Sequence, residues 1–366
     1  MKRIILAGGG HGHINILKNL IKNPINNFEI ILITDYKRQY YSGMLAAFIE
    51  GIYSEDDISF DVAKLCKMAN VRYIEEKITA IDKANQKVIT IVNEYSYDYL
   101  SINLGSSSKV NFPIDSPNIC LVKPIKNVVD AKVEISSLAK TNPNLKIRFV
   151  GGGASGIELA LAFRLAFPKS GISIITSKDI LSNFNNHTKS KLENIFKEKS
   201  IKIIKGERVS LIKDKKIYTN KFIYDFDFAF VTTGFHGPHI NFDGFNTGCG
   251  NFIVVDENLF ADKNVLAMGD VANLKRYPSM TKAGVFAIRQ APVLYQNLLK
   301  LMKKQRYFIS YKPQKNYLQI INCGDRTALA NYGNISLFGK LSWKLKDKID
   351  LSLIHISEPR DATLSR

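Results

Sequence analysis

Six residues near the start of the chain, Gly8-Gly9-Gly10-His11-Gly12-His13, have the spacing of a phosphate-binding turn. Glycine lets the backbone approach an anion closely, and a helix that begins at the turn aims its unpaired N–H groups at the same place. His13 stands where such turns usually carry a third small residue. One glycine pattern of this kind is weak on its own. A second copy, Gly151-Gly152-Gly153-Ala154-Ser155-Gly156, lies far downstream and keeps the third glycine at Gly156. Two turns in one chain predict two separate dinucleotide sites.

Each turn needs a strand before it and a helix behind it. Ile4-Ile5-Leu6-Ala7 and Ile147-Arg148-Phe149-Val150 read as buried strands, while Ile14–Leu20 and Ile157–Phe163 have helical spacing. Phe28–Asp35 reads as a second strand ending in an acid, which can accept a hydrogen bond from a ribose 2′-OH. The matching strand of the second unit, Ile172–Thr176, runs into Ser177 and Lys178 instead, which leaves NADH and NADPH both open. A third strand, in Asn264–Ala272, delivers Gly269 and Asp270 at its end. An Asp there can bind a flavin's ribityl hydroxyls, with backbone amides beside it for phosphate. A helix over 283–302 would then point its positive end at the flavin ring. A charged helix is expected over 188–199, strands over 201–204, 208–213 and 216–218, and a β-rich stretch over 317–335.

The 366 residues suit two or three domains, and the 45% hydrophobic content is that of a soluble globular protein. No 18-residue apolar window is present, and Met1-Lys2-Arg3 leads directly into a strand, which leaves no room for a signal peptide. A cytoplasmic location is therefore expected, with peripheral attachment to the cytoplasmic face of a membrane as its variant. The net charge of +18 fits either a lysine-rich composition or attraction to an anionic surface, lipid ahead of nucleic acid. No nucleic-acid motif accompanies it, so no nucleic-acid partner is expected. Leu337, Phe338, Leu341, Leu345 and Ile349 fall on one helical arc, with Lys340, Lys344 and Lys346 outside it. Such a helix either docks on a membrane interface or packs on its own domain. Cys66, Cys120, Cys249 and Cys323 are scattered without a CxxC pair, which predicts structural thiols. His11 and His13 form an HxH inside the turn without further ligands, so no metal is expected.

The order of Gly8–His13, Asp35, Ile102–Gly105, Gly151–Glu158, Val231–Gly234 and Gly269–Asp270 resembles the two-dinucleotide-binding-domain flavoproteins of the pyridine nucleotide-disulfide oxidoreductase superfamily. Within them the chain is most similar to the type II NADH dehydrogenase branch. Tyr41–Leu45, Lys282–Val285, Arg289–Leu294 and Gly324–Arg326 resemble the NADH-dehydrogenase-like module associated with selenide, water dikinase. The resemblance implies an α/β fold with two Rossmann-like domains, the NAD(P) domain inserted in the FAD domain, and a small C-terminal segment. The FAD domain would take residues 1–112 and 237–310, the NAD(P) domain 113–236 and an α+β segment 311–350. Leu351–Pro359 resembles a translated sequencing adapter, so 351–366 are expected to be an artefactual tail on a truncated gene.

By the same resemblance, Gly8, Gly10 and His13 hold the FAD pyrophosphate and Asp35 the adenosine ribose. Gly105 lies near the cofactor, Gly269 and Asp270 take the ribityl chain, and Ala283 and Gly284 sit by the isoalloxazine. Gly151, Gly153, Gly156 and Glu158 serve NADH or NADPH, and Gly234 closes that cleft. Type II enzymes carry two glutamines where quinone approaches; Gly284 stands in the first place and Gln290 in the second. The implied activity is an FAD-dependent NAD(P)H dehydrogenase passing electrons to a small acceptor, a quinone first. The alternative is a flavin-containing redox-sensing or partner-binding module linked to selenium metabolism.

Overall fold

The computed structural model describes residues 1–181 and 184–355 and contains two parallel sheets built on one plan. The first runs in the order Phe260–Asp262, Val265–Ala267, Tyr99–Ile102, Lys2–Ala7, Phe28–Thr34, Arg72–Glu75. All neighbours are parallel except the antiparallel edge strand Phe260–Asp262. The second runs Ile119–Leu121, Phe228–Val231, Lys146–Val150, Gly171–Thr176, Lys202–Lys205 and is parallel throughout. In both, the strand leading into a glycine turn lies where the strand order reverses, the place where open α/β sheets form a ligand crevice.

Parallel strands covered on both faces must be apolar on both. Ile4, Ile5, Leu6 and Ala7 are accordingly all buried, as are Phe228, Ala229, Phe230 and Val231. Phe149 and Phe230 stack face to face with ring centroids 4.8 Å apart, so the two central strands of the second sheet share an aromatic core.

The helix behind the first turn, His11–Lys22, packs on Gly284–Met302. The one behind the second, Ala154–Ala166, packs on the short helix Leu45–Ile49 and on strand Gln319–Gly324. The chain enters and leaves the second unit side by side, Ser107–Ser108 pairing antiparallel with Phe235–His236. A three-stranded antiparallel sheet (Gln319–Gly324, Thr327–Tyr332, Ile335–Gly339) ends the fold, and helix Lys340–His355 lies on it.

Several expected boundaries shift. Leu337 and Phe338 belong to the last strand rather than to a helix, because pairing with Thr327–Tyr332 holds them extended until Gly339, at φ +139°, turns the chain. The final helix passes the expected break at 350, reaches His355 and buries Ile354; residues 356–366 lie outside the described residues. Helix Lys126–Thr141 was not anticipated.

Candidate functional site: two glycine turns and the strand end between them

The first turn is fixed by its neighbours. Gly8 has φ +95° and donates to Ile33 O at 2.8 Å; a Cβ there would meet Asn103 O at 2.6 Å. A Cβ on Gly10 would fall 2.3 Å from Asn103 Oδ1, and one on Gly12 2.3 Å from Met268 Sδ. Close packing of helix on strand therefore falls on Gly12, one residue before the expected place. Asn103 organises the site: its Oδ1 accepts from Gly12 N at 2.9 Å and its Nδ2 donates to Met268 O at 3.0 Å. One buried amide thus joins the turn to two strand ends. Sequence reading passed over it.

His13 departs from its expected role. Its ring is fully buried beneath the turn, Nδ1–H donating to Gly8 O at 2.5 Å and Nε2 accepting from the Ser101 hydroxyl at 2.8 Å. It supports the turn from below instead of meeting a pyrophosphate, and burial lowers its pKa to about 4. His11 goes elsewhere, its ring edge-on to Tyr41 and Phe60 at 5.3 and 5.9 Å, and burial lowers it also to about 4. Its Nε2 is buried without a hydrogen-bond partner.

The second turn repeats the first. Gly151, at φ +122°, donates to Ile175 O at 2.9 Å, and its Cβ would meet Thr232 O at 2.6 Å. Thr232 occupies the place of Asn103, its single hydroxyl proton lying between Val150 O at 3.0 Å and Gly151 O at 3.2 Å. A Cβ on Gly156 would lie 2.4 Å from Thr232 Oγ1, whereas Gly153 opens onto free space. Gly105 and Gly234 follow the two polar residues at the same spacing, at φ +73° and +109°.

Asp35 lies exposed beyond Thr34, its carboxyl pushed up by burial of its surroundings. Asp270 sits in the short turn Gly269–Val271; its Oδ2 lies 2.7 Å from Lys123 Nζ and accepts from Ser106 Oγ at 3.2 Å. Burial pushes its carboxyl up, but Lys123 and Lys282 outweigh that and hold it below its ordinary value. Burial in turn lowers Lys282 to about 8, against the pull of Asp270. Lys123 links the entry of the second unit to this strand end; nothing in the sequence pointed to it. Ala283 caps helix Gly284–Met302, and Gly284 is exposed with open space around it. A cavity of about 520 Å³ opens beside Lys282, walled by Phe235, Phe252, Leu274, Pro278 and Met280.

Gln290 and Glu158, expected to act on substrate, face inward. Gln290 is buried and its Oε1 accepts from Gly269 N at 2.7 Å, which ties the helix to the Asp270 turn. A side chain spent this way does not meet an acceptor, and its role is corrected to support. Glu158 turns from the second glycine turn toward the C-terminal segment: Oε1 accepts from Asn322 N at 2.9 Å and lies 3.9 Å from Lys346 Nζ. Burial raises its carboxyl pKa, with Lys346 opposing. Lys346 also reaches Asp350 at 2.7 Å and donates to Gly43 O, while Tyr41 OH donates to Asp350 at 2.9 Å. These groups clamp the last helix onto segment 41–43. Cys66, Cys120 and Cys323 are buried, and burial pushes each thiol up to about 12.

Against this geometry, a family model described as pyridine nucleotide-disulphide oxidoreductase matches residues 2–291. The chain belongs to that family. It is 25% identical to the NADH dehydrogenase-like protein YutJ of Bacillus subtilis over 76% of this chain and 79% of the relative. It is 24% identical to ferroptosis suppressor protein 1 of Taeniopygia guttata over 100% and 94%. Type II NADH:quinone oxidoreductase of Staphylococcus haemolyticus is 25% identical over 43% and 42%. Among solved structures, the sulfide:quinone oxidoreductase of Aquifex aeolicus superposes with TM-score 0.79 at 20% identity, covering 98% and 93%. NDH2 of Plasmodium falciparum in complex with NADH gives 0.78 at 15%, covering 97% of each. As a pyridine nucleotide-disulphide oxidoreductase, the protein is an NAD(P)H-dependent enzyme with FAD as its usual cofactor. The first unit fits that cofactor: Gly8 and Gly10 are packed against Asn103 with no room for a Cβ, which keeps the turn bare of side chains, and the buried His11 Nε2 has no hydrogen-bond partner.

Proposed function

We propose that this oxidoreductase passes electrons from NAD(P)H to a quinone at a membrane surface, with the first turn holding FAD and the second holding the nicotinamide nucleotide. Bound FAD supplies the two-electron step, accepting hydride and returning two electrons to an acceptor. A quinone takes up those two electrons and two protons, one matching the transferred hydride and one drawn from solvent. The chain's own part is placement and exclusion of water. Gly8 and Gly10 cradle the FAD pyrophosphate, Asp35 takes the adenosine ribose, and Asp270, kept ionised by Lys123, takes the ribityl hydroxyls. Ala283 and Gly284, at the positive end of helix Gly284–Met302, would border the ring. Gly151, Gly153 and Gly156 receive the nicotinamide dinucleotide, and the cavity beside Lys282 admits a flat apolar acceptor.

The observation that carries the quinone reading is the surface of the C-terminal segment. Ile335, Leu337, Phe338, Leu341, Leu345 and Ile349 are 74, 58, 42, 75, 45 and 38% exposed. Exposed Lys340, Lys344 and Lys348 surround them, while Ser342, Asp350 and Ile354 bury the opposite face. Large apolar side chains exposed together in one segment mark a contact site, and the exposed lysines among them suit an anionic lipid surface. Among the described residues no helix is long and apolar enough to cross a membrane. The test is anaerobic mixing of the yellow protein with NAD(P)H, then turnover with quinone in anionic vesicles. Rapid bleaching and steady turnover are expected, and Leu341→Glu should slow vesicle quinone but spare a water-soluble analogue. Bleaching without turnover on either quinone would favour the redox-sensing module instead.

A further inference from the structure

The two units differ most where their second strands end. Phe28–Thr34 leads to the carboxylate of Asp35, whereas Gly171–Thr176 leads to Ser177 and Lys178. Thr176 is buried, and its Oγ1 accepts from Lys178 N at 3.4 Å. Ser177 and Lys178 are exposed at the exit, and Lys178 has no ion pair among the described residues.

The acids nearby are all engaged. Asp179 Oδ1 lies 2.7 Å from Lys205 Nζ and Oδ2 3.6 Å from Lys189 Nζ. The hydrogen bond from Lys205 holds the Asp179 carboxyl below its ordinary range. Glu193 pairs with the same Lys205 at 2.5 Å, and buried Glu207 accepts from the Thr219 hydroxyl. A ribose 2′-OH arriving here meets Lys178, Ser177 and an Asp179 carboxylate already paired with Lys205, whereas the matching strand end of the first unit offers Asp35 with no ion pair among the described residues. A 2′-phosphate meets the partners it needs.

We infer that the chain takes NADPH in preference to NADH, with the 2′-phosphate at the exit of strand Gly171–Thr176 against Lys178 Nζ and Ser177 Oγ. The inference rests on the second turn holding the nicotinamide dinucleotide and adds a choice which that reading leaves open. Charge-assisted hydrogen bonds to a phosphate are worth at least about tenfold in affinity. Because Lys178 is exposed, the preference should shrink as salt rises.

The holoenzyme should therefore show kcat/KM for flavin reduction about tenfold or more higher with NADPH than with NADH at low salt. Lys178→Glu, at a surface position that does not endanger folding, should reverse the order by restoring an acceptor for the 2′-OH. An NADH preference in the unmodified protein, or an unchanged ratio in Lys178→Glu, would overturn the inference. Calorimetry with adenosine 2′,5′-bisphosphate against 5′-AMP tests the site apart from redox activity. Tighter binding of the bisphosphate, lost in Lys178→Glu, upholds it even if neither reduced nucleotide bleaches the flavin, an outcome that would sink the oxidoreductase reading alone. Equal binding of the two probes overturns it.

Discussion

The two glycine turns are nearly superimposable in logic and opposite in detail. Each has a leading glycine at positive φ whose N–H is held by the neighbouring strand, Gly8 by Ile33 O and Gly151 by Ile175 O. Each has a polar side chain at the end of the opposing strand, Asn103 or Thr232, pressed into the turn. The first is braced from below by a buried histidine and tied to a third strand end through Met268. The second packs helix on strand directly through Gly156, and the Thr232 hydroxyl reaches the Gly151 carbonyl where the first turn uses the histidine. Their second strands then end in opposite charge, Asp35 against Lys178. On the proposed function, the shared parts make a phosphate cradle, and the parts that differ decide which nucleotide each cradle takes.

The largest effect expected from breaking this comparison is at Gly10. A side chain there collides with Asn103 Oδ1, which cannot retreat without dropping Gly12 N–H and Met268 O. Overpacking of this kind costs about 1–3 kcal/mol and displaces the turn. Gly10→Val should purify colourless; an absorption spectrum checks this, and a yellow protein would mean the first turn does not hold FAD.

A smaller and pH-dependent effect belongs to the brace. His13 is neutral when folded, with its pKa near 4, and gains a proton on unfolding at any pH below its ordinary 6.5. The unfolded state then binds more protons, so stability is complete above about 6.5 and falls as pH drops toward about 4. His13→Gln should be less stable at pH 7 than the unmodified protein but lose less of that stability by pH 5. Urea unfolding at both pH values checks it, and parallel losses in the two proteins would contradict it.

Much of this comparison was legible in the sequence. Strand, turn and helix were readable twice because parallel strands are apolar throughout and the glycines sit at fixed spacing. The end of each strand was readable as acid or base. Asn103 and Thr232 were not read, since a single polar residue before Leu104-Gly105 or Thr233-Gly234 looks like ordinary turn chemistry until both contacts are seen. Their recurrence two residues before a glycine was the available signal. Gln290 and Glu158 were misassigned because polar residues expected at a reacting centre can also be spent on backbone N–H groups, here Gly269 and Asn322. The apolar arc was left open between docking on a membrane and packing on its own domain, and it was placed wholly on a helix, because strand pairing of Leu337 and Phe338 depends on a neighbour that periodicity cannot show.

The division of labour between the turns is tested most directly at Gly153. This residue has φ −80°, caps helix Ala154–Ala166, and opens onto free space. Asp is a favourable helix N-cap, so Gly153→Asp should fold as well as the unmodified protein while setting a carboxylate where the nicotinamide dinucleotide's pyrophosphate must lie. Anaerobic stopped-flow of this variant should show a full complement of yellow flavin that dithionite bleaches and NAD(P)H does not. A colourless variant, or bleaching by NAD(P)H at the unmodified rate, would contradict the account.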